Sequence, residues 1–221
     1  MSDCVLFFVK YPEPGEVKTR LAEQSSPELA AEFYRALVED KLGELAGLAD
    51  AGLVVCYAPE AAGRAMAQWL GPEHRYIAQK GSDLGRRMEN GFREAFFMGH
   101  TRVVLVGSDI PGLTPGLIRR GLDALEPGVA SLGPAEDGGY YLIGFHRAGF
   151  VPEVFRDMPW GGETVHAATL ERLARADRGC VELDTLDDLD TLDDLQTMVA
   201  LGEAGPLHGR AMALARRLAG F

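Results

Sequence analysis

The chain is predicted to fold as an α/β protein, with three layers arranged α/β/α around a mainly parallel mixed sheet. Three observations point there. Short runs rich in Val, Ile, Leu and Phe alternate with segments of helical periodicity. Val5–Val9 and Val103–Val106 are apolar throughout, as strands covered on both faces are. Glu136-Asp137-Gly138-Gly139 is a turn signal between two further apolar runs, Val129–Leu132 and Tyr140–Phe145.

Taken in order, Val5–Val9 is a buried first strand, and Pro12, Pro14 and Gly15 punctuate a loop over residues 10–16. A helix is expected over 27–46, with Leu29, Phe33, Leu37 and Leu45 on one face. Leu53–Tyr57 is a second strand, followed by a helix over 60–70 and a short strand over 75–79. Asp83 stands at the N-cap of a helix over 83–98. Val103–Val106 leads into the loop Gly107-Ser108-Asp109-Ile110-Pro111, and Thr114-Pro115 opens another helix with Pro in its first turn. After the hairpin-like pair come a helix over 163–175, a strand over 180–183, and closing helices over 187–201 and 206–218. No linker interrupts this pattern, so residues 1–221 are read as a single domain.

Composition narrows the function classes. A net charge of −11 repels a nucleic-acid backbone, so DNA and RNA are excluded as partners. No apolar run has the length of a membrane span and no basic leader precedes the first strand, so no membrane role and a cytoplasmic location are expected. Cys4, Cys56 and Cys180 lie far apart in apolar stretches and read as buried thiols. The five histidines show no zinc-ligand spacing. The chain has four lysines, and two of them, Lys10 and Lys18, fall in one short loop.

Three polar signals fall at predicted strand ends, where open parallel sheets bind ligands. The first is the loop Lys10–Arg20. Gly15 lets backbone approach a phosphate, while Lys18 and Arg20 supply charge, Arg20 in bidentate fashion. The pattern is not a Walker A loop, and a solvated basic loop is the plainer reading. The second is Asp109, which either holds a hard cation such as Mg²⁺ or Mn²⁺ or caps the following turn. The third lies around Asp188–Asp190, where Asp190 is either a late metal ligand or, with Thr191, a helix N-cap. The repeat of Asp-Thr-Leu-Asp-Asp-Leu at 184–189 and 190–195 leaves that register open. Beyond these, Asp137 either orients an acceptor hydroxyl or bonds its own turn, and of Tyr140 and Tyr141 only one is expected to face a pocket. Trp160 is a candidate to stack on a base or sugar, and Gln79 and Arg87 are candidates to touch a nucleotide. The last helix is read as packed core or a homodimer face.

These segments resemble a known group. The loop Phe8–Leu21, Gln79 with Asp83-Leu84-Gly85-Arg86-Arg87-Met88, Gly107–Pro111, Gly133–Gly144, Pro159-Trp160 with Glu163-Thr164-Val165, and Asp190-Thr191 before Asp194-Leu195 are similar to the GT-A-like nucleotide-binding superfamily. The likeness is to 2-phospholactate guanylyltransferase and, along nearly the whole chain, to a bacterial group of nucleotide-diphospho-sugar transferases. The resemblance implies a GT-A-like fold, a nucleotide or nucleotide-sugar ligand, a small-molecule acceptor, and a divalent metal, Mg or Mn, on Asp109. One departure stands out: GT-A sugar transferases often carry Asp-x-Asp at this strand end, and here only Ser108-Asp109 is present. The leading expectation is a metal-dependent glycosyltransferase using a nucleotide-diphospho-sugar. A nucleotidyltransferase acting on a nucleoside triphosphate and a non-catalytic nucleotide-binding module are the alternatives.

Overall fold

A computed structural model describes residues 2–48, 50–202 and 206–220. Its seven strands form one sheet in the order β3-β2-β1-β4-β6-β5-β7. The strands are β1 Asp3–Lys10, β2 Ala51–Ala58, β3 Arg75–Ala78, β4 Arg102–Gly107, β5 Val129–Pro134, β6 Tyr140–His146 and β7 Gly179–Glu182. β1 pairs in parallel with both β2 and β4, and β6 runs antiparallel between β4 and β5. The mixed sheet expected from the sequence is therefore present, with β6 as the reversed strand. This reversal brings the start of β6 to the same edge as the carboxyl ends of β1, β4 and β5.

The pleat divides each central strand between two cores. Val5, Phe7 and Val9 face one side with Val104 and Val106, while Cys4 and Leu6 face the other with Val103 and Leu105. Helices α2 (Pro27–Leu45), α3 (Gly63–Leu70) and α5 (Pro115–Asp123) cover the first side. Helices α4 (Leu84–Phe97) and α6 (Val165–Arg175) cover the second, where Phe92 is ringed by Phe96, Phe145, Phe150 and Phe155. A third cluster joins α2 to α1 (Thr19–Gln24), α7 (Leu192–Ala200) and α8 (Gly209–Ala219). The last helix is thus packed against α2. No helix among the described residues is long and apolar enough to cross a membrane.

Differences from the sequence reading have local causes. The short helix α1 is too brief to show a periodicity. Helix α7 begins at Leu192 rather than near 187, because Thr191 and Asp194 form a reciprocal capping box. Asp190 is therefore not the N-cap, and its side chain is available elsewhere. Cys4 and Cys56 are buried as expected, but Cys180, on the edge strand β7, is only half-buried.

Candidate functional site

The carboxyl edge of the sheet opens into a cavity of about 390 Å³, bordered by Lys10, Lys18, Asp109, Asp137, Asp188 and Asp190 among others. Its rear is fixed by a hydrogen-bonded chain across two strand ends. The Lys10 backbone N–H donates to Tyr34 Oη at 3.0 Å, and Tyr34 Oη lies 2.8 Å from Ser108 Oγ. Burial, with the negative charge of Asp109 nearby, pushes the Tyr34 hydroxyl up, so it stays protonated and bridging. This link ties the end of β1 to the turn that carries Asp109. Tyr34 escapes a sequence reading because a tyrosine on a helix is ordinarily core.

Lys18 is placed differently from a phosphate-binding cation on an open loop. Its side chain is 2% exposed, and Nζ donates to Asp109 Oδ2 at 3.0 Å, Asp190 Oδ1 at 3.1 Å and the Leu189 carbonyl at 2.5 Å. Burial opposes its charge, but Asp109 and Asp190 outweigh that and hold the ammonium above its ordinary value. Lys18 in turn holds Asp109 below the usual carboxylate range. Asp188 receives only weak relief from Lys18. Burial, reinforced by Asp137, Asp109 and Asp190, raises it to about 7. The cavity therefore carries more negative charge than its own cations balance.

The remaining candidates divide between this cavity and its neighbours. Asp137 borders it while its Oδ1 accepts the Gly139 N–H at 2.8 Å, so the turn-bonding reading and the cavity position hold together. Gly138 is at φ +84 with the Glu163 backbone against it, a place where a side chain has no room. Tyr140 and Trp160 meet edge to face at 6.2 Å and form an aromatic wall. Tyr141 also borders the cavity although it points to the opposite face of β6, its Oη donating to the Asp184 carbonyl. The expectation that only one of the two tyrosines would do so is corrected: residue 140 begins the strand, so both lie at the sheet edge.

Gln79 borders the cavity, but its Nε2 is committed to the Cys56 carbonyl at 2.8 Å. A second hollow shares Lys10 and Gln79 with the cavity and adds Lys80 and Arg87 together with Glu13, Glu16 and Glu60. Arg87 thus lies beside the cavity rather than in it, and Lys80 joins the basic set without having been picked out from the sequence. Arg20 is 74% exposed, 3.5 Å from Asp190 Oδ2, and borders an acidic hollow with Asp187 and Asp194. Gly15 occupies a turn at φ +85 and borders neither the cavity nor this second hollow. The loop brings Lys10 and Lys18 to the cavity and leaves Gly15 and Arg20 outside it.

The donor set has the chemistry of a hard-cation site that the protein does not close by itself. Asp109 and Asp190 offer carboxylate oxygens, yet among the described residues no three His, Cys, Asp or Glu converge as metal ligands. Mg²⁺ and Mn²⁺ characteristically accept one or two carboxylates and complete their shell with phosphates and water. The residues fit an ion that comes with a phosphorylated ligand.

A family model described as "Uncharacterized protein conserved in bacteria (DUF2064)" matches residues 41–162. No curated protein sequence matches the chain. Among solved structures, a protein from Desulfovibrio desulfuricans G20, provisionally named a nucleotide-diphospho-sugar transferase, is 43% identical with a TM-score of 0.92, covering 98% of this chain and 95% of that one. Rv0371c from Mycobacterium tuberculosis H37Rv is 16% identical with a TM-score of 0.56, covering 89% and 98%. The 4-diphosphocytidyl-2C-methyl-D-erythritolsynthase of Anaerococcus prevotii DSM 20548 is 9% identical with a TM-score of 0.57, covering 87% and 94%. The latter two share the fold.

Proposed function

The chain belongs to the DUF2064 family, and from that premise we propose that it is a transferase whose donor is a nucleotide-diphospho-sugar and whose acceptor is a small molecule. The observation that carries this reading is the meeting, at one sheet edge, of three cations, Lys10, Lys80 and Arg87, set in a hollow with Glu13, Glu16 and Glu60, with the carboxylate cavity at Asp109 and Asp137. The name of the 43%-identical protein from Desulfovibrio desulfuricans supports the same donor class.

In this reading the diphosphate meets Arg87 at the hollow and Lys10 between hollow and cavity, and draws Lys80 from its exposed 3.8 Å pairing with Glu60. Asp109 and Asp190 would hold a divalent ion, Mg²⁺ or Mn²⁺, which when bound neutralises the charge of the departing nucleoside diphosphate. Asp137, kept in place by the Gly139 N–H, orients an acceptor hydroxyl toward the sugar. Tyr140 and Trp160 form the wall against which the sugar or acceptor rests and reduce access of bulk water.

Glycosyl transfer is favoured over nucleotidyl transfer by charge. The cavity sets Asp109, Asp137, Asp190 and a partly protonated Asp188 against two ammonium groups, and a triphosphate adds about two more negative charges than a diphospho-sugar. A panel of nucleoside diphosphates, triphosphates and nucleotide-sugars, each with and without Mn²⁺, tests the reading by thermal shift. At least one diphosphate or nucleotide-sugar is expected to raise the melting temperature, and more so with Mn²⁺, because a ligand that binds only the folded state stabilises it by mass action. No shift from any of them at millimolar concentration would remove the nucleotide from the account.

A further inference from the structure

The sequence presents Lys18 as a loop cation free to meet phosphate, but its three protons are already spent on Asp109, Asp190 and the Leu189 carbonyl. The side chain is enclosed, 2% exposed, whereas its two carboxylate partners are 46% and 44% exposed toward the cavity. Lys18 reaches this point from a left-handed backbone, φ 46 and ψ 48, which side chains other than glycine seldom adopt. It also serves as the residue before the first turn of α1, so the chain enters that helix with the ammonium directed at the carboxylates.

We infer that the Lys18 ammonium is the resident cation of the Asp109–Asp190 carboxylate pair, and that a divalent ion reaches these carboxylates only by displacing it. The inference rests on the reading of Asp109 as a residue that holds a cation. An ammonium about 3 Å from both carboxylates and a divalent ion bound between them would repel strongly at such separation. The nucleotide-free protein therefore binds divalent ions weakly, its charge pair already neutralised. A phosphorylated ligand changes the balance, because it supplies oxygens to the ion and a new anionic partner to Lys18. The flexible lysine stem allows that change of partner with the backbone unmoved. Lys18 would thus meet phosphate only after leaving the carboxylates, which reconciles the loop's composition with the observed pairing.

The test is a Mn²⁺ titration of the nucleotide-free protein, read by the electron paramagnetic resonance of free Mn²⁺, together with melts in millimolar Mn²⁺. Lys18→Met is expected to bind Mn²⁺ at least about tenfold more tightly than the wild type, and Mn²⁺ is expected to raise its melting temperature but not that of the wild type. Lys18→Arg keeps the charge and should behave as the wild type. Adding Asp109→Asn to Lys18→Met should abolish the gain. Equal Mn²⁺ affinity in wild type and Lys18→Met overturns the inference. Should Lys18→Met fold poorly alone, Mn²⁺ is expected to restore it, and Lys18→Gln, which keeps two donor protons, provides the same readout. If both variants remain unfolded with and without Mn²⁺, the inference also fails. The nucleotide panel on the wild type is independent. A gain of Mn²⁺ affinity without any nucleotide shift would sink the transferase reading alone, and the reverse pattern would sink this one alone.

Discussion

Replacing Asp109 by Asn is expected to lower Mn²⁺ affinity, measured with saturating nucleotide-sugar, by about 100-fold, on the scale of losing a principal ligand from a site with few. Asn retains an oxygen that can accept from Lys18 and suits turn positions, so a residue that only capped the loop would tolerate the change. The free protein should remain folded but lose about 1–2 kcal/mol, since an ion pair with a buried ammonium becomes a bond from that ammonium to a neutral amide oxygen. Two effects oppose each other here. Removing Asp109's charge relieves repulsion on Asp188, but it also takes one of two counterions from Lys18. The ion pair prevails because Lys18 is enclosed and bonded at 3.0 Å, while Asp188, raised to about 7, is already partly protonated near neutral pH and so feels less of the repulsion. Calorimetric Mn²⁺ titration and a denaturant melt check both halves. Unchanged metal affinity would take Asp109 out of the mechanism.

Replacing Lys41 by Met is expected to cost about 3–5 kcal/mol of stability, the loss typical of breaking a buried ion pair by deleting one partner. Lys41 is 5% exposed on α2, and its Nζ donates to Glu44 Oε2 at 2.8 Å, the Pro111 carbonyl at 3.1 Å and the Leu113 carbonyl at 2.5 Å. Methionine fills the volume but leaves two buried carbonyls without a donor. Those carbonyls belong to the segment just after Asp109, so the substitution loosens the loop that presents the carboxylate. Urea unfolding measures the first effect. A loss below about 1 kcal/mol would show that water satisfies these carbonyls equally well.

The elements whose signal is local were legible in the sequence. β1 and β4 are continuous apolar runs, and Thr114-Pro115 marks the start of α5 with its N-cap and first-turn proline. Strand-end topology then placed the Lys10–Arg20 loop, Asp109 and the segment Asp188–Asp190 at one edge, and Lys10, Asp109, Asp188 and Asp190 border the cavity there. What the sequence did not reveal is who pairs with whom. Lys18 finds Asp109 and Asp190 at separations of 91 and 172 residues, and no local pattern records that. Lys41 was unremarked because its interior partners are backbone carbonyls, which leave no trace in residue type. The tandem Asp-Thr repeat left the register of the cap open between Asp184-Thr185 and Asp190-Thr191, and Asp194 reaching back to accept the Thr191 N–H at 2.8 Å fixes it at Thr191. Arg20 looked equivalent to Lys18 in the loop, yet one step onto helix α1 turns it outward to solvent.

The central claim concerns which bond the protein breaks. It is tested most directly by incubating the protein and Mn²⁺ with nucleotide-sugars and, separately, with nucleoside triphosphates, and then identifying the phosphorylated products by anion-exchange chromatography and mass spectrometry. Water serves as a slow acceptor when the native one is absent. The account predicts free nucleoside diphosphate from at least one nucleotide-sugar, lost in Asp109→Asn, and no pyrophosphate from any triphosphate. Pyrophosphate released from a triphosphate, with every nucleotide-sugar left intact, would contradict it.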